Sequence, residues 1–218
     1  MSATARRRTA QVAALVAALI VLVWILLRPH PLADAGTPPP VRQSVTAGSV
    51  LDPKPCYRGA TEPFTPKRIT VPGIVRDAEV LALPRDAANV PSAPPISDVG
   101  KTQFAWSIPP DPMPGDPKGN TLLNAHTWPD GTALGNKLLD GLQVGGRVIL
   151  HGRAADGTPQ TLCYQVTKRD VIVASDGSFE YYESEGPPQI AIIVCSPPRL
   201  GPGNWLHRTI WYASPLQS

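Results

Sequence analysis

Apolar positions fall into one long block and then a series of short runs. The block covers about Val12 to Leu27, follows Arg6-Arg7-Arg8 and carries Trp24 near its far end. Its length is about the minimum for a membrane span. Positive charge on its N-terminal side predicts a cytoplasmic N-terminus and an exported remainder, at the cell membrane as a single-pass protein. The block reads as an uncleaved signal-anchor, with a cleaved signal peptide ending near Ala33-Asp34-Ala35 as the alternative. Residues 29–66 carry Pro29, Pro31, Pro38-Pro39-Pro40, Pro53, Pro55, Pro63 and Pro66, a pattern that predicts an extended stalk.

From Lys67 the pattern changes to short β-branched runs broken by turn residues. Arg68-Ile69-Thr70-Val71 ends at Pro72-Gly73, and Val75 to Leu83 predicts a second strand. Residues 84–100 read as loop. Thr121 to Asn124 is a short strand entering Ala125-His126-Thr127-Trp128. Leu134, Leu138, Leu139 and Leu142 recur at helical spacing, and Gly145-Gly146 turns the chain. Arg147 to Leu150 predicts a strand, Asp156-Gly157 a hairpin turn, and Thr161 to Val166 and Lys168 to Ala174 further strand. A polar loop over 175–188 precedes the last two strands, Gln189 to Cys195 and Arg208 to Ala213. Seven to eight short strands with one or two short helices predict a mainly β domain, a closed or nearly closed barrel. The expected organisation is a tail and membrane helix over 1–28, the stalk over 29–66 and the barrel over 67–218.

Composition agrees with this reading. A chain of 218 residues accommodates one domain plus tails. Its 27 prolines and 18 glycines, with 17% charged residues, suit strands and turns better than a helical bundle. The net charge of +3 is small and owes part of its sign to the N-terminal arginines. No basic stripe carries interleaved aromatics, so nucleic acid is not an expected partner. An exported domain folds in an oxidising setting, where three cysteines allow one disulfide and leave one over. A Cys56–Cys163 bridge would pin the stalk to the barrel and leave Cys195 free. The alternative keeps Cys163 as a buried hydrophobe and Cys56 as an exposed thiol.

A free, exported cysteine at the end of an apolar strand invites a chemical reading. A thiol is a useful nucleophile only as a thiolate, which needs a base or a positive charge nearby. Arg208 opens the next strand after residues 196–207, a plausible antiparallel return that sets it beside Cys195. Strand alternation puts Arg208, Ile210 and Tyr212 on one face and His207, Thr209 and Trp211 on the other. The imidazole is therefore expected from His126, at a strand exit before a helix, and not from His207. Taken singly, each residue has a plainer explanation: a core cysteine, an arginine on a surface carboxylate, a helix-capping histidine. Their order, each at a strand end, singles them out.

Thr121-Leu122-Leu123-Asn124-Ala125-His126-Thr127, a strand-end Cys195, and Arg208-Thr209-Ile210 together resemble the sortase family. They are most similar to the sortases of high-GC Gram-positive bacteria, in the class E or class F style. The resemblance covers about Arg68 to Ala213. It departs from the family at two positions: Ala125 stands where glycine usually precedes the histidine, and Val194 where threonine usually precedes the cysteine. The resemblance implies a sortase-like barrel and a cysteine transpeptidase with Cys195, His126 and Arg208 as catalytic residues. Cys195 would cleave an LPxTG-like sorting signal of an exported protein through a thioacyl-enzyme, with hydrolysis as a side activity. His126 would serve as acid and base, and Arg208 would hold substrate and oxyanion. The acceptor would be an amine of a peptidoglycan precursor or a pilin lysine.

No cofactor is implied, and no metal is expected at Glu180, Glu183 and Glu185, which read as solvated. By the same resemblance the 175–188 loop should wall a peptide groove, with Phe179, Tyr181 and Tyr182 as candidate contacts. His30 falls in the stalk, and His151 reads as a surface residue. No apolar tail follows Pro215, so the expectation is a processing enzyme and not its client. A catalytically silent barrel that binds envelope peptides is the competing class. An L,D-transpeptidase is disfavoured because Val194-Cys195-Ser196 lacks a His-Gly-Cys motif. A papain-like hydrolase would place its cysteine early, on a helix, before the histidine.

Overall fold

The β-branched and aromatic runs form eight strands: β1 Thr65–Val71, β2 Val75–Leu83, β3 Phe104–Ser107, β4 Asn120–Ala125, β5 Arg147–Arg153, β6 Pro159–Val173, β7 Gln189–Gly201 and β8 Asn204–Pro215. Among the described residues one helix, α1 Leu134–Gly141, and a 3-10 turn, Gly100–Thr102, complete the elements. This is a computed structural model, and it describes residue 60 and residues 62–216. The expected anchor, the cleavage site and nearly all of the stalk lie outside the described residues.

The strands close into a barrel in the order β1-β2-β3-β4-β7-β8-β6-β5, the expected mainly β architecture at the upper strand count. Two neighbouring pairs, β2–β3 and β4–β7, run parallel. A parallel pair needs a long crossover. Residues 84–103 supply one, and the path through α1, β5 and β6 supplies the other.

β7 shows why its apolar run is unbroken. Ile190, Ile192 and Val194 enter the main core with Trp106, Leu123 and Trp211. Ala191 and Ile193 enter a second cluster with Leu122, Tyr181 and Tyr212. A strand covered on both faces is apolar at every position. β8 splits the same way, with Trp211 and Ala213 in one cluster and Ile210 and Tyr212 in the other. α1 buries Leu134 and Leu138, and Leu142 caps it, buried. The Leu142 carbonyl accepts a hydrogen bond from Trp211 Nε1 at 2.8 Å, tying the helix end to β8.

The structure extends the expected pattern in four places. The barrel begins ahead of Lys67: Phe64 is fully buried, and Thr65 and Pro66 pair with β5. β3, a run of four buried residues, lies in a stretch not read as strand. β6 is continuous from Pro159 to Val173. β7 and β8 run on past Cys195 and ahead of Arg208, into a hairpin closed at Gly201 and Asn204. Buried Cys163 is disulfide-bonded, whereas Cys195 is a free thiol. Cys56, the partner expected for Cys163, lies outside the described residues.

At Gly152 the pairing of β1 with β5 leaves no room for a side chain. A methyl group there would sit 2.1 Å from the Thr65 carbonyl oxygen and 2.6 Å from Phe64 Cδ2. Neither a paired backbone nor a core ring can step aside. Gly152→Ala is expected to cost about 1–3 kcal/mol, the usual range for overpacking. Gly201→Ala, where an added methyl meets nothing within 4 Å, is the control. Thermal unfolding of both checks this; equal Tm values would contradict it.

Candidate active site

β7 has a different partner on each edge, and the two registers converge at its middle. In the parallel ladder with β4, Ala125 stands opposite Val194. The next residues, His126 and Cys195, therefore leave that ladder side by side. In the antiparallel ladder with β8, Cys195 stands opposite Arg208. Across β4, β7 and β8 the sequence His126, Cys195, Arg208 forms a row, and all three side chains line one groove of about 460 Å3.

Local contacts fix each member. Where β4 ends, Thr127 Oγ1 donates to the Cys195 carbonyl at 2.6 Å, a side-chain rung that continues the ladder. The His126 carbonyl accepts from Gly135 N at 2.7 Å. A methyl on Gly135 would lie 2.5 Å from that oxygen, so the start of α1 packs on the histidine backbone only because residue 135 is glycine. Asn136 clamps the next residue: its Oδ1 accepts from Trp128 N at 2.9 Å and its Nδ2 donates to the Trp128 carbonyl at 3.1 Å. The His126 ring has Nε2 at 2.6 Å from the Pro94 carbonyl oxygen. A carbonyl only accepts, so Nε2 carries the hydrogen, and in the neutral ring Nδ1 holds the lone pair. Arg208 Nη1 donates to the carbonyls of Trp205 at 3.2 Å and His207 at 3.0 Å, which orients the guanidinium.

Burial pushes the half-buried Cys195 thiol above its ordinary pKa, and the positive charge of Arg208 pulls it partly back. At neutral pH the resting group is a thiol, so nucleophilic attack requires deprotonation within the groove.

The remaining candidates divide. Tyr181 and Tyr182 line the groove, but Phe179 is 98% exposed and does not. Tyr181 is itself a core residue, packed with Leu122 and Tyr212. Tyr182 lies beneath the Arg85 guanidinium, 5.0 Å from the ring centroid. Arg85 is held by Asp111 through Nε at 3.0 Å and Nη2 at 2.6 Å. His207 bonds the Pro197 carbonyl, away from the groove lining, and His151 bonds Thr161. His30 lies outside the described residues. The three loop glutamates serve separate partners: Glu180 pairs with Lys168, Glu185 with Lys118, and Glu183 accepts from the backbone of Glu185 and Gly186.

Sequence reasoning did not anticipate the wall made by residues 84–100. Val90, Pro91, Ala93 and Ile96 line the groove, and Pro94 holds the histidine. Apolar side chains retained among the prolines of that stretch were the available signal. Thr127 sat inside the quoted motif, but its role depends on a neighbour that only the fold supplies.

No family model matches the chain, and no curated protein does. Solved structures do. The chain is similar to Streptococcus agalactiae sortase C1, at 19% identity and TM-score 0.48, over 69% of this chain and 68% of that one. It is similar to sortase C-1 of Actinomyces oris, at 19% identity and TM-score 0.49, over 72% and 75%. It is also similar to Listeria monocytogenes sortase A, at 16% identity and TM-score 0.46, over 74% and 88%. Likeness at this level describes a shape and assigns no activity.

The electrostatics of Cys195 give a pH prediction. A raised pKa means a smaller thiolate fraction at neutral pH, so alkylation by iodoacetamide should be slow and should accelerate with pH beyond the ordinary thiol range. Arg208→Gln removes the one influence that lowers the pKa. Alkylation at neutral pH should then slow further, by about three- to tenfold. A rate unchanged by Arg208→Gln would contradict the pairing of charge and thiol.

Proposed function

We propose that this chain is a membrane-anchored cysteine transpeptidase of the sortase type. It would cleave an LPxTG-like sorting signal in exported proteins and transfer them to an amine of the cell envelope. The observation that carries the reading is the row His126, Cys195, Arg208 in one groove, set by two independent strand registers. A nucleophile, an acid–base and a cationic oxyanion partner are what acyl transfer to an amine requires. The apolar block at residues 12–27 would anchor the chain, with its N-terminus cytoplasmic and the barrel outside.

In this reading His126 takes the proton of Cys195, and the thiolate attacks the scissile carbonyl carbon. The developing oxyanion meets the Arg208 guanidinium. Collapse breaks the C–N bond, and the departing amine takes a proton from His126. Cys195 is left as a thioester. An incoming amine, from a peptidoglycan precursor or a pilin lysine, attacks that thioester and gives up a proton to His126. The new amide leaves and Cys195 returns. The Pro94 carbonyl fixes the tautomer of His126, since a ring held through Nε2–H keeps Nδ1 free for the proton that moves. The two departures from the family pattern, Ala125 and Val194, are core side chains and neither is a reacting group.

The test is the intact mass of the full chain mixed with an LPxTG-type peptide library. A peptide-sized adduct is expected on Cys195, absent in Cys195→Ala and discharged by added amine. On the peptide that reacts, kcat/KM is expected to fall about 10²- to 10⁴-fold in His126→Gln and about 10²- to 10³-fold in Arg208→Ala. No adduct with any peptide would favour a silent peptide-binding barrel instead.

A further inference from the structure

Beyond Cys195 and Arg208, β7 and β8 continue as a narrow hairpin in which the register shifts on both sides of Arg199. Such bulges re-aim side chains and gather beside active sites. Arg199 pairs across the hairpin with Trp205, and both line the groove that holds Cys195. Among the described residues the lining contains Arg199 and Arg208 but no aspartate or glutamate. The other cations near its walls are already matched: Arg85 by Asp111, and Lys101 by Asp98 and Asp130. Arg199 makes no hydrogen bond or ion pair with any described residue. A guanidinium fork suits a carboxylate bidentately. A groove lined by one sign of charge between apolar walls concentrates the opposite sign.

We propose that Arg199 forms an anionic subsite that reads a carboxylate on the bound peptide. The inference rests on the groove being a peptide site, and it names the substrate class: sorting signals with Asp, Glu or a free terminal carboxylate near the scissile bond. Four residues along a strand span about 13 Å, so the carboxylate lies within about four residues of the reacting carbonyl.

The experiment measures fluorescence anisotropy of labelled LPxTG-type peptides on the full chain carrying Cys195→Ala, which binds without turnover. Peptides are compared in pairs, Glu against Gln and Asp against Asn, one position at a time, with free and amidated C-termini. At one position the acidic member should bind about tenfold more tightly, and the advantage should shrink with added salt. Arg199→Gln should abolish the preference, and Arg199→Glu should turn it toward lysine. Arg199 is exposed, so both variants should keep the parental Tm. A preference that survives amidation assigns a side chain; one lost on amidation assigns the terminal carboxylate. Equal binding of every pair, a preference that survives Arg199→Gln, or no binding of any peptide would overturn the proposal. The two readings fail separately. Arg199-dependent binding without any thioester in the wild-type chain keeps the subsite and removes the transpeptidase. Turnover without acidic preference does the reverse.

Discussion

The hydrogen-bonded ladder along both edges of β7 sets where every candidate reacting group stands. One edge carries β4 in parallel and delivers His126; the other carries β8 in antiparallel and delivers Arg208. A slip of one residue in a sheet turns every side chain to the opposite face. The apolar pattern resists such a slip only weakly here, because both faces of β7 are buried. Turn geometry supplies what the pattern does not. Pro202-Gly203 closes the β7–β8 hairpin between paired Gly201 and Asn204, with Gly203 at φ +68. Proline followed by a residue with positive φ is the signature of a tight turn. Two register shifts, one on each side of Arg199, then take the pairing from Gly201 opposite Asn204 to Cys195 opposite Arg208.

Chemistry in the groove follows from a balance that the same geometry imposes. Half-burial among Val194, Thr127 and the groove walls favours a neutral thiol, while Arg208 favours the thiolate. The result is a cysteine at rest beside a charge suited to a developing oxyanion. The histidine is treated differently: its backbone is held by Gly135 and its ring by Pro94, so its tautomer is chosen by a loop distant in sequence. That loop is the β2–β3 crossover. A parallel strand pair requires a long connection, and here the connection becomes a wall of the site.

Much of this was legible in the sequence where a residue's role depends on its own strand. The β-branched runs, the helical leucines and the opposed faces of β8 all follow from periodicity, and the structure has them. The row of Cys195 and Arg208 was legible because an apolar strand, a Pro/Gly turn and a second strand lie consecutively in the chain. β3 was not legible: Phe104-Ala105-Trp106-Ser107 is buried at every position and too short to show alternation. Parallel pairing was not legible either, since nothing in β4 specifies β7 as its neighbour. The aromatics of the 175–188 loop show the limit of composition. Phe179 is solvent-exposed, Tyr181 is core, and Tyr182 stacks under an arginine, and their local sequence does not distinguish them.

Two strand registers place His126 and Arg208 on either side of Cys195. The most direct measurement is a crystal structure of the chain with a substrate-mimicking peptide joined to Cys195 by a disulfide. The peptide is expected to lie in the groove, with Arg208 within hydrogen-bonding distance of the carbonyl oxygen nearest the sulfur and His126 on the other side. A peptide that leaves Cys195 away from Arg208, with that oxygen turned to solvent or to backbone amides alone, would contradict it.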